Sequence, residues 1–293
     1  MQPRLLRLGG EFFWVTLGQA LVALGGLVGV RLLTEVLPPA VYGELALAMT
    51  VVAFVQVAVQ QPLFEGARRF FHAAAGAGDT PAFLRAIWRL ACRISAGLAA
   101  AGLVAAVSLA FAHQTSRVAL AVAVLAVCLI STWNLALSGI QSASRRRALI
   151  AWHEGVQQWL RFGLAAALVW WAGPHSSMAM TGYAVAAALV LASQVWFLSW
   201  PDVAPRHPVS PAAVRTGEWQ ARLMAYAWPS AAWGAALSIQ AASARWSLQH
   251  FEAAEAVGLF AVLYQVWPLS GRPVDGHPVE VPGAGHLQSR RCR

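Results

Sequence analysis

The chain has 293 residues, of which 58% are hydrophobic and 11% are charged, and its formal net charge is +9. A soluble domain is usually about 45–50% apolar and about 25% charged, so this composition excludes an ordinary soluble protein. The basic residues are all arginine and lie between the apolar segments, which argues against nucleic acid as a partner despite the positive charge.

Apolar segments of membrane-spanning length recur along the chain. About 20 apolar residues are needed to cross the hydrocarbon core as a helix. The first segment is longer than the apolar core of a signal peptide and is predicted to be a retained span. The sequence predicts an all-α fold, a polytopic transmembrane helix bundle of about eight helices: Phe12–Leu33, Gly43–Phe64, Leu90–Phe111, Val118–Ile140, Val156–Ala172, Met178–Trp200, Leu223–Ala242 and Ala256–Leu269.

These helices suggest a division of the chain into four regions. Residues 1–200 are predicted to form an N-terminal six-helix transmembrane lobe, followed by a cytoplasmic linker over 201–222. Residues 223–270 begin a second transmembrane lobe with two helices. Residues 271–293 are rich in proline and glycine, which predicts a disordered tail, either a natural cytoplasmic tail or the product of a reading-frame change.

The arginine distribution predicts that the N-terminus is cytoplasmic, because arginine-rich loops stay on the cytoplasmic side of a membrane. The segments on the outer side carry only Arg31, Arg117 and Arg245. The segments on the cytoplasmic side carry Arg4, Arg7, Arg68, Arg69, Arg85, Arg89, Arg93, Arg145, Arg146, Arg147, Arg161, Arg206, Arg215 and Arg222.

Two segments of the chain resemble each other. The end of the first predicted helix and the start of the second match the end of the seventh and the start of the eighth. The matching pairs are Arg31 and Arg245, Gly43 and Gly258, and Ala46 and Ala261. Such a match arises by chance in an apolar chain or from an internal repeat. A repeat with this topology predicts parallel copies related by an axis along the membrane normal.

Three runs of residues also carry a family resemblance: GVRLLTEVLPPAVYGELALAMTVVAF, SASRRRALIAWHEGVQQWLRFGL and RWSLQHFEAAEAVGLFAVLYQVWPL. They resemble bacterial polysaccharide and O-antigen flippases of the multidrug/oligosaccharidyl-lipid/polysaccharide exporter superfamily. The resemblance implies twelve or fourteen helices in two lobes that open alternately to either side. This chain then looks truncated after the start of the second lobe.

The resemblance also implies a substrate and a location. The substrate is an undecaprenyl-diphosphate-linked oligosaccharide, which the protein moves across the bacterial inner membrane for surface polysaccharide and lipopolysaccharide synthesis. The partners implied are that lipid-linked oligosaccharide and a second copy or a separately encoded second half. The alternatives are a multidrug or cation antiporter of the same superfamily, or an inactive truncated fragment.

Amide side chains within the spans are the first candidates for substrate binding, because polar groups in a membrane are costly unless they face a bundle interior or water. Gln56 and Gln60 lie four residues apart in the second predicted helix. Asn134, Ser138 and Gln141 form a stripe in the fourth. These groups suit either sugar hydroxyls in a polar cavity or hydrogen bonds between helices.

Arginines are the candidates for binding the diphosphate, because the planar guanidinium matches phosphate bidentately. Arg161 lies a few turns into the fifth helix from the cytoplasmic side, and Arg31 and Arg245 are expected near the outer mouth. The alternative is that these long side chains extend to the headgroups. The basic block Glu65–Arg93 predicts surface helices beside anionic phospholipids, as topology anchors or as a collector of substrate.

No sequence motif indicates an enzyme, a cofactor or a metal site. His153 beside Glu154 is interpreted as a solvated surface pair. A cation antiporter would require a buried carboxylate, and no acidic residue lies deep in a predicted span.

Overall fold

The computed structural model describes residues 2–143, 147–197 and 212–266, and every regular element in these ranges is a helix. A π-helical turn, Gln56–Gln60, joins α2 to α3, so that Pro39–Gly76 is one continuous helical run of 38 residues. The α-helices are α1 Gln2–Val36, α2 Pro39–Val55, α3 Gln61–Gly76, α4 Thr80–Phe111, α5 Thr115–Ala143, α6 Arg147–Ala172, α7 Ser176–Trp196, α8 Ala212–Phe251 and α9 Ala254–Val266.

Five helical segments of the described chain are long and apolar enough to cross a membrane: Thr16–Val36, Pro39–Gly76, Thr80–Phe111, Thr115–Ala143 and Ser176–Trp196. The all-α transmembrane prediction is therefore confirmed, and the chain is a multi-pass membrane protein. The fifth, seventh and eighth predicted helices form as α6, α8 and α9 but fall outside this group. Polar residues in α6 and α8 reduce their hydropathy, and α9 has only 13 residues.

The helices around the basic block are longer than predicted. The sequence predicts that the second helix ends at Phe64, but the helical run continues to Gly76, and the third helix begins at Thr80 rather than Leu90. The basic block therefore does not form separate surface helices. Its first half continues the α2–α3 run to Gly76, and its second half is the start of α4. The extensions are amphipathic, with apolar residues such as Phe83 packed inward and arginines outward, so a search for uniformly apolar segments misses them.

The second half of the predicted linker over 201–222 is helical, because α8 begins at Ala212. The helix then runs for 40 residues to Phe251, well beyond the predicted Leu223–Ala242. Residues 198–211 and the predicted tail, 271–293, lie outside the described residues.

Two buried clusters hold the helices together. One contains Leu33, Tyr42, Phe162 and Met180 and joins α1, α2, α6 and α7. The other joins α3, α4, α5 and α8, with Trp219 of α8 packed edge-on against the Phe83 ring at a centroid distance of 5.3 Å. The second cluster thus fixes α8 against the helices of the basic block.

The two segments of the predicted internal repeat pack directly on each other through α2 and α9. A Cβ atom added to Gly43 would overlap the Ala254 carbonyl oxygen, and one added to Gly258 would overlap the Pro39 carbonyl oxygen. Pro39 and Ala254 are themselves equivalent in the repeat, since the same offset of 215 relates them and the two glycines (254 − 39 and 258 − 43). The contact is therefore reciprocal, as in an interface with a two-fold axis.

Candidate anion-binding site

Arg161 lies on α6 and contacts two aromatic rings. Its guanidinium carbon lies 4.6 Å from the centroid of the Phe162 ring and 5.0 Å from that of Tyr183 on α7. The Arg161 Nε is buried and has no hydrogen-bond partner in the described part of the chain. The aromatic rings therefore hold the cation by its face and leave N–H groups free for an acceptor.

Arg245 on α8 has a similar environment. Its guanidinium carbon lies 5.5 Å from the centroid of the Tyr264 ring on α9, and its Nε is also buried without a partner among the described residues. An unsatisfied buried donor costs about 1–3 kcal/mol, and more when the group is charged. Both donors have room for an additional acceptor in the cavity that the two arginines share.

Both arginines line the same small cavity, whose volume is about 60 Å³. None of its lining residues is acidic, so it contains positive charge without a lining counter-ion. A cavity of this size holds a few water molecules or a small oxyanion. The lining residues are Tyr42, Leu45, Ala46, Met49, Arg161, Phe162, Tyr183, Arg245 and Ala261.

The position of the cavity differs from the expectation for Arg161. Tyr42 lies three residues from the start of α2, and Arg245 lies six residues before the end of α8. At about 1.5 Å per residue, these positions are roughly 5 and 9 Å from the helix ends assigned to the outer side. Arg161 is therefore not a separate cytoplasmic-side group but shares a pocket with Arg245 near the outer side of the predicted topology.

Arg31 does not belong to this pocket. Its side chain is 79% exposed, and its Nε lies 2.8 Å from the Glu35 carboxylate one turn away. The two arginines therefore have different surroundings: an ion pair with Glu35 neutralises Arg31, whereas packing against the Tyr264 ring buries part of Arg245. Their position near the outer mouth stays a prediction.

Tyr42 and Tyr183 also line the pocket, although no sequence motif marks them as site residues. The chain has only four tyrosines, and these two lie in α2 and α7, where a phenol needs a polar partner. A tyrosine within a largely aliphatic membrane span is unusual, and this feature of the sequence could have identified both residues.

The glutamines of the π-helical turn connect helices. The Gln60 side chain is fully buried, and its Nε2 donates to the Cys128 carbonyl oxygen and the Thr132 hydroxyl of α5, each at 2.8 Å. Gln56 donates to the Ser131 hydroxyl at 3.3 Å. This geometry matches the interhelical alternative, with the wider π turn directing both amides toward α5.

The polar residues of α5 form similar bridges to α7. Asn134 is buried and donates to the Ala187 carbonyl oxygen at 3.0 Å. Ser138 accepts a hydrogen bond of 3.2 Å from Gln194. Gln141 differs, because it is buried while neither its amide nitrogen nor its amide oxygen has a hydrogen-bond partner in the described residues. None of these three α5 residues lines the arginine pocket.

A second cavity of about 700 Å³ opens on the side assigned to the cytoplasm. An ion pair of 2.8 Å joins Arg68 to Glu65, and the Arg69 guanidinium lies 5.2 Å from the centroid of the Tyr226 ring. The cavity therefore has a mixed, hydrogen-bonding wall. It is lined by Gly18, Gln19, Glu65, Arg68, Arg69, His72, Ser142, Ala143, Ile150, Ala151, Glu154 and Tyr226.

His153 and Glu154 lie beside this cavity in different environments. His153 is buried, with its Nε2 3.0 Å from the Ser193 hydroxyl, so its interpretation as a solvated residue is wrong. Its burial lowers the pKa of the imidazole. Glu154 keeps exposed surface, yet loss of hydration raises the pKa of its carboxyl, an effect that nearby Arg68 partly offsets.

No family model, no curated protein and no solved structure matches this chain.

Proposed function

We propose that this protein moves an undecaprenyl-diphosphate-linked oligosaccharide across the bacterial inner membrane. The observation that carries the proposal is the shared pocket of Arg161 and Arg245, in which two buried guanidinium nitrogens lack partners and no lining residue is acidic. The family resemblance of the α1–α2 and α8–α9 segments supplies the substrate class.

The pocket has room for one small oxyanion, and its chemistry suits one phosphate group of a diphosphate. Two guanidinium groups offer planar N–H edges to phosphate oxygens, and such charge-assisted hydrogen bonds are about twice as strong as neutral ones. The phenols of Tyr42 and Tyr183 line the same pocket and provide further donors. The Phe162 and Tyr183 rings stack on Arg161 and restrict its motion, so less entropy is lost when the anion binds.

The large cavity supplies a place for the polar part of the substrate. Its volume of about 700 Å³ lies within the range of ligand pockets, about 300–1,000 Å³. Carboxylates, guanidinium groups, an amide and the Tyr226 phenol line it, and these groups suit the donors and acceptors of sugar hydroxyls. This mixed wall favours a neutral, hydroxyl-rich ligand over a compact anion.

Helix α6 connects the two sites. Glu154 lines the large cavity and Arg161 the small pocket, and the two residues are seven positions apart on one helix face. Two helical turns correspond to about 10 Å along the axis. This spacing suits a substrate that carries its polar head and its diphosphate at neighbouring positions.

The described residues favour this function over cation antiport. None of the aspartates and glutamates whose side chains the structure describes is fully buried, whereas a coupling site for protons or sodium ions inside the membrane requires a buried carboxylate.

Deleting the gene in its source bacterium tests the proposal. We expect loss of surface polysaccharide and accumulation of lipid-linked oligosaccharide on the cytoplasmic leaflet. Complementation with wild type should restore export, Arg161→Lys should restore much less, and the control Arg31→Lys should match wild type at equal protein levels. Normal surface polysaccharide in a deletion strain that lacks every other flippase would overturn the proposal.

A further inference from the structure

One face of α4 carries a row of arginines on the side of the chain assigned to the cytoplasm. Arg85, Arg89 and Arg93 follow one another at intervals of four residues, so their side chains lie on the same helix face. All three are exposed, and Trp88 and Cys92 are exposed beside them. We call this surface the α4 stripe.

The α4 stripe contains no negative charge. The sequence of α4 contains no aspartate or glutamate, and no ion pair joins Arg85, Arg89 or Arg93 to a carboxylate in the described ranges. Arg85 donates from its Nε to the Pro81 carbonyl oxygen at 3.1 Å, within its own helix. Like charges four residues apart on a helix repel each other, so an external anion stabilises this arrangement.

The length of α4 places the stripe at the membrane surface. With 32 residues the helix is about 48 Å long, whereas the hydrocarbon core is about 30 Å thick and needs about 20 residues. Counting about 20 residues back from Phe111 reaches Cys92. Arg89 and Arg93 therefore lie at the boundary of the hydrocarbon, and Arg85 lies about 10 Å beyond it.

The surroundings of α4 are consistent with lipid contact. In the most apolar window of this helix, 0% of the residues are buried inside the protein, so the helix presents its apolar part to the bilayer. Trp88 is 61% exposed, and its ring centroid lies 4.6 Å from that of Trp133 on α5. A partly exposed indole at this level is typical of the membrane interface.

We propose that the α4 stripe binds the headgroups of anionic phospholipids, with guanidinium groups paired to lipid phosphates and Trp88 packed at the glycerol level. This inference does not rest on the proposed transport function. Arg68 and Arg69 line the large cavity instead, so the stripe is a separate surface. Each arginine near an anionic surface contributes about a fivefold increase in affinity, and three contribute about a hundredfold.

Native mass spectrometry of the purified full chain tests this inference, with phosphatidylglycerol and phosphatidylcholine as probes. The wild type should retain phosphatidylglycerol in preference to phosphatidylcholine. The triple variant Arg85→Gln/Arg89→Gln/Arg93→Gln should lose about a hundredfold in phosphatidylglycerol affinity. The corresponding triple lysine variant should keep most of the affinity, because the attraction depends mainly on charge.

The matched control is Arg117→Gln, which removes an exposed arginine at the other end of the bundle, where it contacts Gln114 at 2.9 Å. This variant should bind phosphatidylglycerol as the wild type does. An unchanged lipid preference in the triple glutamine variant would overturn the inference. Displacement of phosphatidylglycerol by equimolar undecaprenyl phosphate would also overturn it, because the surface would then select the polyprenyl substrate rather than phospholipid.

Discussion

Replacing Gly43 by alanine is expected to destabilise the contact between α2 and α9. The added methyl group would overlap the Ala254 carbonyl oxygen and lie 3.0 Å from the Gly258 nitrogen, and both obstacles are backbone atoms that no rotamer change can move. Overpacking of this kind costs about 1–3 kcal/mol. Alanine returns about 0.5–1 kcal/mol through its better helix propensity, which leaves a net loss of about 0–2.5 kcal/mol, with about 1 kcal/mol as the central value.

The assay is thermal unfolding of the purified chain in detergent, with Gly97→Ala and Gly163→Ala as controls. A Cβ at either control position meets no atom within 4 Å, so these variants should be as stable as the wild type or slightly more stable. Gly258→Ala should behave like Gly43→Ala, because its methyl group would overlap the Pro39 carbonyl oxygen.

The double variant Gly43→Ala/Gly258→Ala adds a test of reciprocity. Once one methyl group has separated the helices, the second should cost less, with a coupling of at least about 0.5 kcal/mol. Melting temperatures of Gly43→Ala and Gly258→Ala equal to those of the two controls would refute the close packing of the repeat segments.

Three further predictions concern other parts of the bundle. Gln60→Leu removes two hydrogen bonds to α5 and should cost about 1–2 kcal/mol in unfolding free energy, whereas Gln61→Leu at an exposed position should be nearly neutral. Glu154→Gln should raise the melting temperature at neutral pH. Folding raises the pKa of the Glu154 carboxyl, so the ionised carboxylate destabilises the folded protein as the pH rises, and glutamine removes that charge. The gain should vanish in acid, where Glu154 is protonated in both the folded and the unfolded protein. In a background without the native cysteines, a cysteine at exposed Ala77 should react with an impermeant reagent only from the cytoplasm and one at exposed His113 only from outside; the opposite pattern would invert the topology.

The helical spans could be predicted because each must contain about 20 apolar residues to cross the hydrocarbon core, and such segments are recognisable in the sequence. The extension of α2 into α3 and the start of α4 at Thr80 could not be predicted from apolar length alone. These turns are amphipathic and pack one face against other helices, and only the three-dimensional arrangement shows which face is covered. The π-helical turn at Gln56–Gln60 could not be predicted either, because no pattern of apolar residues distinguishes it from the α-helix around it.

The candidate site was only partly predictable. Arg161 and Arg245 were identified as candidates by residue type, but their meeting depends on the packing of α6 and α8 around α2 and α9. Arg31 lies outside the pocket, and its ion pair could have been predicted, because Glu35 lies four residues away on the same helix face. The interhelical bonding of Gln60 depends on which helix faces it, and sequence periodicity does not determine that.

The most direct test of the account is equilibrium binding of undecaprenyl-diphosphate-linked oligosaccharide to the purified chain in nanodiscs. Arg161→Lys and Arg245→Lys should each weaken binding about tenfold, because lysine keeps the charge but loses the bidentate contact, a difference of about 1.4 kcal/mol. Arg31→Lys should bind as the wild type does, since Arg31 lies outside the pocket and pairs with Glu35. Equal affinity in all four proteins would contradict the assignment of the Arg161–Arg245 pocket as a diphosphate site.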